Sequence, residues 1–247
     1  MKRRSLMPLL IAAALLLGAC SGSQSSDTLL VMAASSLTES FTEMEAAFES
    51  ANPDVDVQIN LAGSAALREQ ILQGAPADVF ASANEATMQA LLDEGAAEAA
   101  VPFTTNQLQI AVPSDNPGAI VGVEDLANDG LLIGLCDQGV PCGDFARQAL
   151  AQVEVDAAVD TNEKDVRSLL TKIEVGELDG GIVYRTDVAS SGEVLGIDLP
   201  PEVDVPIVYP IAILSDAPNP DAAQRFVDFV GSPAGQGILA AQGFGTP

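Results

Sequence analysis

The 247-residue chain carries 10 Lys and Arg against 35 Asp and Glu, a formal net charge of −25, and contains neither His nor Trp. So acidic a chain argues against nucleic acid or anionic lipid as a partner. The absence of His removes the usual zinc sites and the Ser–His and Cys–His nucleophile pairs.

The N-terminus reads as an export signal. Lys2-Arg3-Arg4 is a basic start, and residues 6–17 form an apolar stretch too short to span a bilayer as a helix. It ends in Leu17-Gly18-Ala19-Cys20, a sequence that resembles a bacterial lipobox. Residues 1–19 are therefore expected to be a lipoprotein signal peptide, with Cys20 as the lipidated first residue; ordinary cleavage near Ala19 is the alternative. Residues 20–27 follow as a flexible polar tether. Removing the three basic residues takes the charge from −25 to −28. The expected mature protein is extracytoplasmic and touches the membrane only through its lipid anchor. Cys136 and Cys142 are the remaining cysteines, and outside the cytosol a disulfide between them is the default expectation.

Residues 28–32 are an apolar run expected as a buried strand. Beyond the small residues Ala33-Ala34-Ser35-Ser36, the positions Leu37, Phe41, Met44, Ala47 and Phe48 recur at helical spacing as far as Asn52-Pro53. Ser36-Leu37-Thr38-Glu39 fits a capping box with Ser36 as N-cap. A strand that hands over to a helix through small hydroxyl residues also leaves free N–H groups at a positive helix end, a ready anion site. Residues 55–60 alternate as a strand and lead through Gly63-Ser64 into a helix over 65–73, repeating that arrangement. A strand at 77–81 and a helix at 86–94 complete a βαβαβα pattern, the sign of a parallel sheet covered by helices.

The second stretch predicts a strand over 106–112, a turn at Asn116-Pro117-Gly118 and a short helix at 123–126. A strand at 131–135 follows, then the loop from Cys136 to Gly143 and a helix over 144–152. A further βα cycle brings an amphipathic helix over 165–173, a strand over 180–184, and a new element from Arg185. Residues 203–210 carry the chain back to a strand at 209–214, and helices at 221–230 and 234–242 close it. Chain crossings near Thr105 and Val208 place a cleft between two α/β lobes, 28–105 with 209–247 and 106–208.

Seven segments in this order resemble the periplasmic molybdate-binding proteins, solute receptors of ABC importers. They are Ala33-Ala34-Ser35-Ser36-Leu37-Thr38, Gly63-Ser64 before Leu67, and Gly74-Ala75-Pro76-Ala77-Asp78-Val79-Phe80. Val140-Pro141-Cys142-Gly143, Asp165-Val166-Arg167, Gly181-Ile182-Val183-Tyr184 and Tyr209-Pro210-Ile211 complete the set. The resemblance implies the type II periplasmic binding protein fold, an α/β fold whose two lobes enclose a central ligand cleft. It implies a binding protein without enzymatic activity or cofactor, which captures molybdate or tungstate and delivers it to a membrane permease, acting as a monomer. The implied contacts are the hydroxyls of Ser36 and Ser64, the backbone amides of Cys142 and Val166, and the hydroxyl of Tyr184. All would touch the oxyanion's oxygens and not the metal. Ala65 and Ala66 stand where the family often has further hydroxyl residues.

Hydroxyls and helix-end amides suit a tetrahedral dianion, which wants donors on all sides. Arg68, Arg147, Arg167 and Arg185 are assigned to surface pairing with carboxylates. Asp78, an isolated carboxylate after a strand-like stretch, is a weak candidate metal ligand. The competing readings are a receptor for sulfate or phosphate, a structural surface lipoprotein, and an extracytoplasmic hydrolase. The last lacks both His and a Gly-x-Ser-x-Gly elbow.

Overall fold

The computed structural model describes residues 27–203 and 205–247. Cys20, the signal peptide and all of the tether except Asp27 lie outside these residues. The chain builds two five-stranded sheets. In the first, β1 (Asp27–Ala34) lies parallel between β2 (Val55–Ala62) and β3 (Val79–Ala81), and β10 (Ile207–Ile213) runs antiparallel between β3 and β4 (Val101–Asn106). The second repeats this plan. In it β6 (Ile133–Cys136) is parallel to β7 (Val159–Glu163) and β8 (Gly180–Tyr184), while β5 (Leu108–Pro113) pairs antiparallel with β8 and β9 (Val194–Asp198).

The helices follow the apolar periodicity. On the first sheet pack α1 (Thr38–Ala51), α2 (Ser64–Leu72), α3 (Glu85–Asp93), α7 (Pro220–Gly231) and α8 (Pro233–Ala241); the second carries α4 (Pro141–Gln152), α5 (Val166–Glu174) and α6 (Arg185–Ser190). In α1 the buried residues Phe41, Met44 and Phe48 fall on one face, as helical spacing requires. Gly74 ends α2 at φ +86°, a left-handed conformation that glycine adopts without steric cost. Edge-on aromatic contacts run from Phe226 to Phe41 (6.0 Å between centroids), Phe103 (6.0 Å), Tyr209 (6.4 Å) and Tyr184 (6.0 Å), joining the two sheets through one core.

The strand expected at 106–112 is β5, which begins two residues later, and Asn106 instead closes a strand of the other sheet. β4 ends at Asn106, β5 begins at Leu108, and the chain changes sheets at Gln107, whose carbonyl accepts from the Arg185 N–H at 2.8 Å. β4 and β9 were not foreseen, and the strand of the second βα cycle, β7, had no bounds. All three are edge strands. Their outer flanks need no partner, so Pro102, Gly196 and polar Asp160 to Asn162 are tolerated there and the apolar signal is thin. The C-terminal tail packs as expected: Phe244 is buried against Tyr209, and Gly245 exchanges backbone hydrogen bonds with Thr105.

Asp78 is no metal ligand here, because its carboxylate accepts from the Leu30 N–H at 2.7 Å and the Asn219 N–H at 2.5 Å, fixing α7 to the first sheet. Among the described residues no group of three His, Cys, Asp or Glu could hold a metal, and no helix is long and apolar enough to cross a membrane.

Cys136 and Cys142 form a disulfide that joins the end of β6 to the first turn of α4. By loop-closure arithmetic, so short a ring stabilises the fold by about 2 kcal/mol. Reducing it should therefore lower the melting temperature by about 4–8 °C in a protein of this size. Scanning calorimetry with and without reductant checks this, and an unchanged midpoint would contradict it.

Candidate functional site

The five residues singled out in the sequence meet around one cavity. Ser36, Ser64, Cys142, Val166 and Tyr184 line one small cavity together with Ala34, Ser35, Gly63, Ala83, Val140, Pro141 and Asp165. Each of the five is at most 4% exposed. A wider groove of about 650 Å³ lies elsewhere, but its charged pair, Arg185 and Asp198, is already joined at 2.9 Å.

Ser36 is not the helix cap that its sequence suggests. A 3₁₀ turn, Ser35–Leu37, intervenes between β1 and α1, the cap position falls on Leu37, and no side chain caps the helix. The Ser36 hydroxyl instead lies 3.0 Å from the Tyr209 hydroxyl. Ser64 likewise sits inside the first turn of α2 with Gly63 as its N-cap, and its Oγ accepts the Ala83 N–H at 3.0 Å. With that lone pair engaged, the Ser64 proton is free to point elsewhere.

The second sheet supplies amides. Pro141 occupies the first position of α4, where its missing N–H is no loss, and the Gly143 and Asp144 amides both turn back to the Val140 carbonyl at 2.9 Å. The Cys142 N–H remains as an end-of-helix donor. Arg147 does not pair with a carboxylate as expected. It donates to the Cys136 carbonyl at 2.7 Å, the Gly143 carbonyl at 3.0 Å and Asn162 at 2.6 Å, bracing the disulfide turn from behind. Val166 opens α5, one residue later than the sequence suggested, because Asp165 is the N-cap and accepts the Ser168 N–H at 2.8 Å. That bond leaves the Val166 N–H facing outward from the helix end.

Tyr184 ends β8. Its N–H donates to Asp187 at 3.1 Å, whereas its hydroxyl, fully buried, has no hydrogen-bond partner and is the one such side-chain atom among the described residues. The Tyr209 ring packs edge-on beside it and the two hydroxyls are near enough to influence each other, but the pair does not meet hydrogen-bond geometry, and Tyr209 bonds to Ser36 and, at 3.3 Å, to Asn106. An orphaned buried hydroxyl costs about 1–3 kcal/mol, and this one stands at the cavity wall with its donor uncommitted to any protein acceptor. Burial first, then Tyr209 and Asp187, hold the Tyr184 phenol well above its ordinary range, so it stays protonated.

No Lys or Arg lines the cavity. Arg167 stands outside it, pairing with Glu39 of α1 and lying 3.8 Å from Asp187. It therefore ties the two halves of the molecule together, which surface pairing would not do. The walls also meet at Gly63, where an added Cβ would come within 2.6 Å of the Lys164 carbonyl. The site is thus a narrow chamber without a cation, whose wall comes from both sheets. The sequence reading missed the Ala83 amide, Asn106, Tyr209 and Asp187. Of these, Tyr209 lay in a recognised segment, but nothing in its spacing marked its hydroxyl.

The model of the bacterial extracellular solute-binding proteins matches residues 29–245. The chain belongs to this family. Among its relatives, the molybdate-binding protein ModA of Mycobacterium tuberculosis is 35% identical over 226 residues, covering 91% of this chain and 87% of that protein. A putative ABC transporter substrate-binding lipoprotein of Bacillus subtilis, YvgL, is 30% identical and covers 98% of both. The structure of the Azotobacter vinelandii periplasmic molybdate-binding protein superposes with a TM-score of 0.79 at 20% identity, over 89% of this chain and 99% of that one. This solute-binding protein thus has the two-lobe α/β fold expected from its sequence.

Asp187 gives the site's surroundings a pH signature. Burial raises its carboxyl from 3.8 to about 7, against the lowering effects of Arg167 and the Tyr184 N–H, and with a further raising contribution from Asp165. The folded chain therefore binds this proton more tightly than the unfolded one. The stabilisation is complete below about pH 4 and is lost as pH rises towards 7, about 4 kcal/mol in all. Asp187→Asn, which can still accept the Tyr184 N–H, should gain on the parent between pH 4.5 and 7.5 in urea melts. An equal difference at the two pH values would contradict this.

Proposed function

We propose that this solute-binding protein captures molybdate, and tungstate by the same geometry, and presents it to the permease of an ABC importer. The observation that carries the reading is the unpartnered Tyr184 hydroxyl facing a cation-free chamber, alongside Ser36, Ser64 and the first amides of α4 and α5. Hydroxyls and helix-end amides stabilise a dianion from all sides without bringing a competing charge. A buried guanidinium would add attraction but carry its own desolvation cost. The relative named as a molybdate-binding protein supports the choice of oxyanion.

In this reading residues 28–105 with 209–247 form one lobe and 106–208 the other. The serines belong to the first; Cys142, Val166 and Tyr184 belong to the second. The anion bridges the two, and its contacts across the cleft favour the closed state. The Cys142 side chain is held by the disulfide, and it is the backbone N–H that meets the ligand. Lipid attachment at Cys20 would keep the receptor beside its permease, and the lipoprotein name of the Bacillus subtilis relative supports that anchor.

A cage of fixed donors selects by radius, and sulfate is smaller than molybdate. Molybdate at about a thousand times its dissociation constant should stabilise the protein by roughly 4 kcal/mol and raise the melting temperature by about 10 °C. Sulfate at the same concentration should barely move it. Equal shifts would overturn the selectivity, and no shift with either anion would overturn the binding reading.

A further inference from the structure

Behind Ser36 lies a buried chain of polar groups whose direction can be worked out atom by atom. It starts at Asn106, the last residue of β4, just before the chain changes sheets. The Gln107 N–H, which can only donate, lies 2.9 Å from Asn106 Oδ1. This fixes the orientation of the amide, so Nδ2 faces the Thr186 hydroxyl at 2.9 Å and the Tyr209 hydroxyl at 3.3 Å. Tyr209 Oη thus accepts from Asn106, and its own proton remains to be placed. The Ser36 oxygen lies 3.0 Å away. If Tyr209 donates to Ser36, the Ser36 proton is released from the protein interior and turns towards the cavity. If Ser36 donated to Tyr209 instead, it would present a lone pair to the anion, which repels it.

We propose that Tyr209, held by Asn106, is a positioning residue that donates to Ser36 and so aims the Ser36 proton at the bound oxyanion. This deepens the oxyanion-binding reading and rests on it. The arrangement also accounts for two local features. Tyr209 sits where the β4–β10 register shifts, a bulge that re-aims a side chain. Its ring needs no hydroxyl for packing, since Phe103, Tyr184 and Phe244 already surround it edge-on. A phenol retained in so apolar a setting, with both of its hydroxyl partners polar and buried, is placed for its hydrogen bonds. Burial keeps that phenol protonated throughout the working pH range, so the donor is permanent. The same Asn106 amide holds Thr186 of α6, two residues beyond Tyr184. One residue at the crossover therefore bonds both the Tyr209 hydroxyl of the first sheet and the start of α6 in the second.

A double-mutant cycle tests this, using calorimetric titration with sodium molybdate on the parent, Ser36→Ala, Tyr209→Phe and the double variant, with melting curves of each ligand-free protein. Tyr209→Phe should weaken binding about three- to tenfold, the worth of one neutral hydrogen bond. Ser36→Ala, which loses a bond to a charged acceptor, should weaken it about ten- to a hundredfold. The double variant should match Ser36→Ala, because Tyr209 acts only through that hydroxyl. A residue that merely supported the fold would instead multiply the two losses. Multiplied losses, or parental affinity in Tyr209→Phe, overturn the proposal while leaving the oxyanion site intact. Parental affinity in Ser36→Ala, or no molybdate binding by the parent, overturns the site reading itself and the relay with it. If Tyr209→Phe does not melt cooperatively, Asn106→Ala takes its place in the cycle with the same expected and contradicting outcomes.

Discussion

A dianion enclosed in protein without a cation must be met on every side by neutral donors, and under the proposed oxyanion reading this requirement accounts for how the chamber is built. Three helix-opening segments point into it: the 3₁₀ turn before α1, the first turn of α2, and the Val140–Pro141–Cys142 turn of α4. The start of α5 is the fourth. Each brings small or apolar residues whose side chains add no competing charge. The one carboxylate in the wall, Asp165, is turned to capping its own helix at Ser168. In the proposed donor set Tyr184 is the one second-sheet member that uses a side chain, and its buried hydroxyl has no hydrogen-bond partner in the protein.

Around the chamber the charges are arranged to close it, not to bind. Arg167 joins Glu39 on the first-sheet side to the neighbourhood of Asp187 on the second, one residue beyond the Val166 amide. Gly63 lets the two walls approach to a separation that any side chain would prevent. A net charge of −25 gives the surface a field that opposes an approaching anion. Attraction is left to short-range dipoles, which act only once the ligand is between the walls. Such a site discriminates by fit at the last few ångströms and not by long-range charge.

Much of this was legible in the sequence, for uneven reasons. Buried central strands such as β1 and β8 announce themselves as apolar runs, and β8 falls at the expected residues 180–184. The edge strands β4, β7 and β9 carry little apolar signal because no full strand pairs with their outer flank, β4 meeting only Gly245 of the tail there. The five cavity residues were reachable because their segments resemble a known family, and the structure brings all five to one cavity. Ser36 shows the limit of local rules. Its capping-box spacing is sound, yet the 3₁₀ turn and the Tyr209 hydroxyl, 173 residues away in sequence, decide where the side chain points. The same distance hid Asn106 and Tyr209, whose roles exist only once β4 and β10 pair.

In the proposed site the Tyr184 hydroxyl is the donor held in reserve for the anion. Tyr184→Phe isolates it, because the ring and its edge contact with Tyr209 remain while one unpaired buried hydroxyl disappears. Titration calorimetry with molybdate, alongside melting of the ligand-free proteins, should find binding about ten- to a hundredfold weaker and a melting temperature equal to or above the parent's. Parental affinity for molybdate in Tyr184→Phe would contradict the account at its centre.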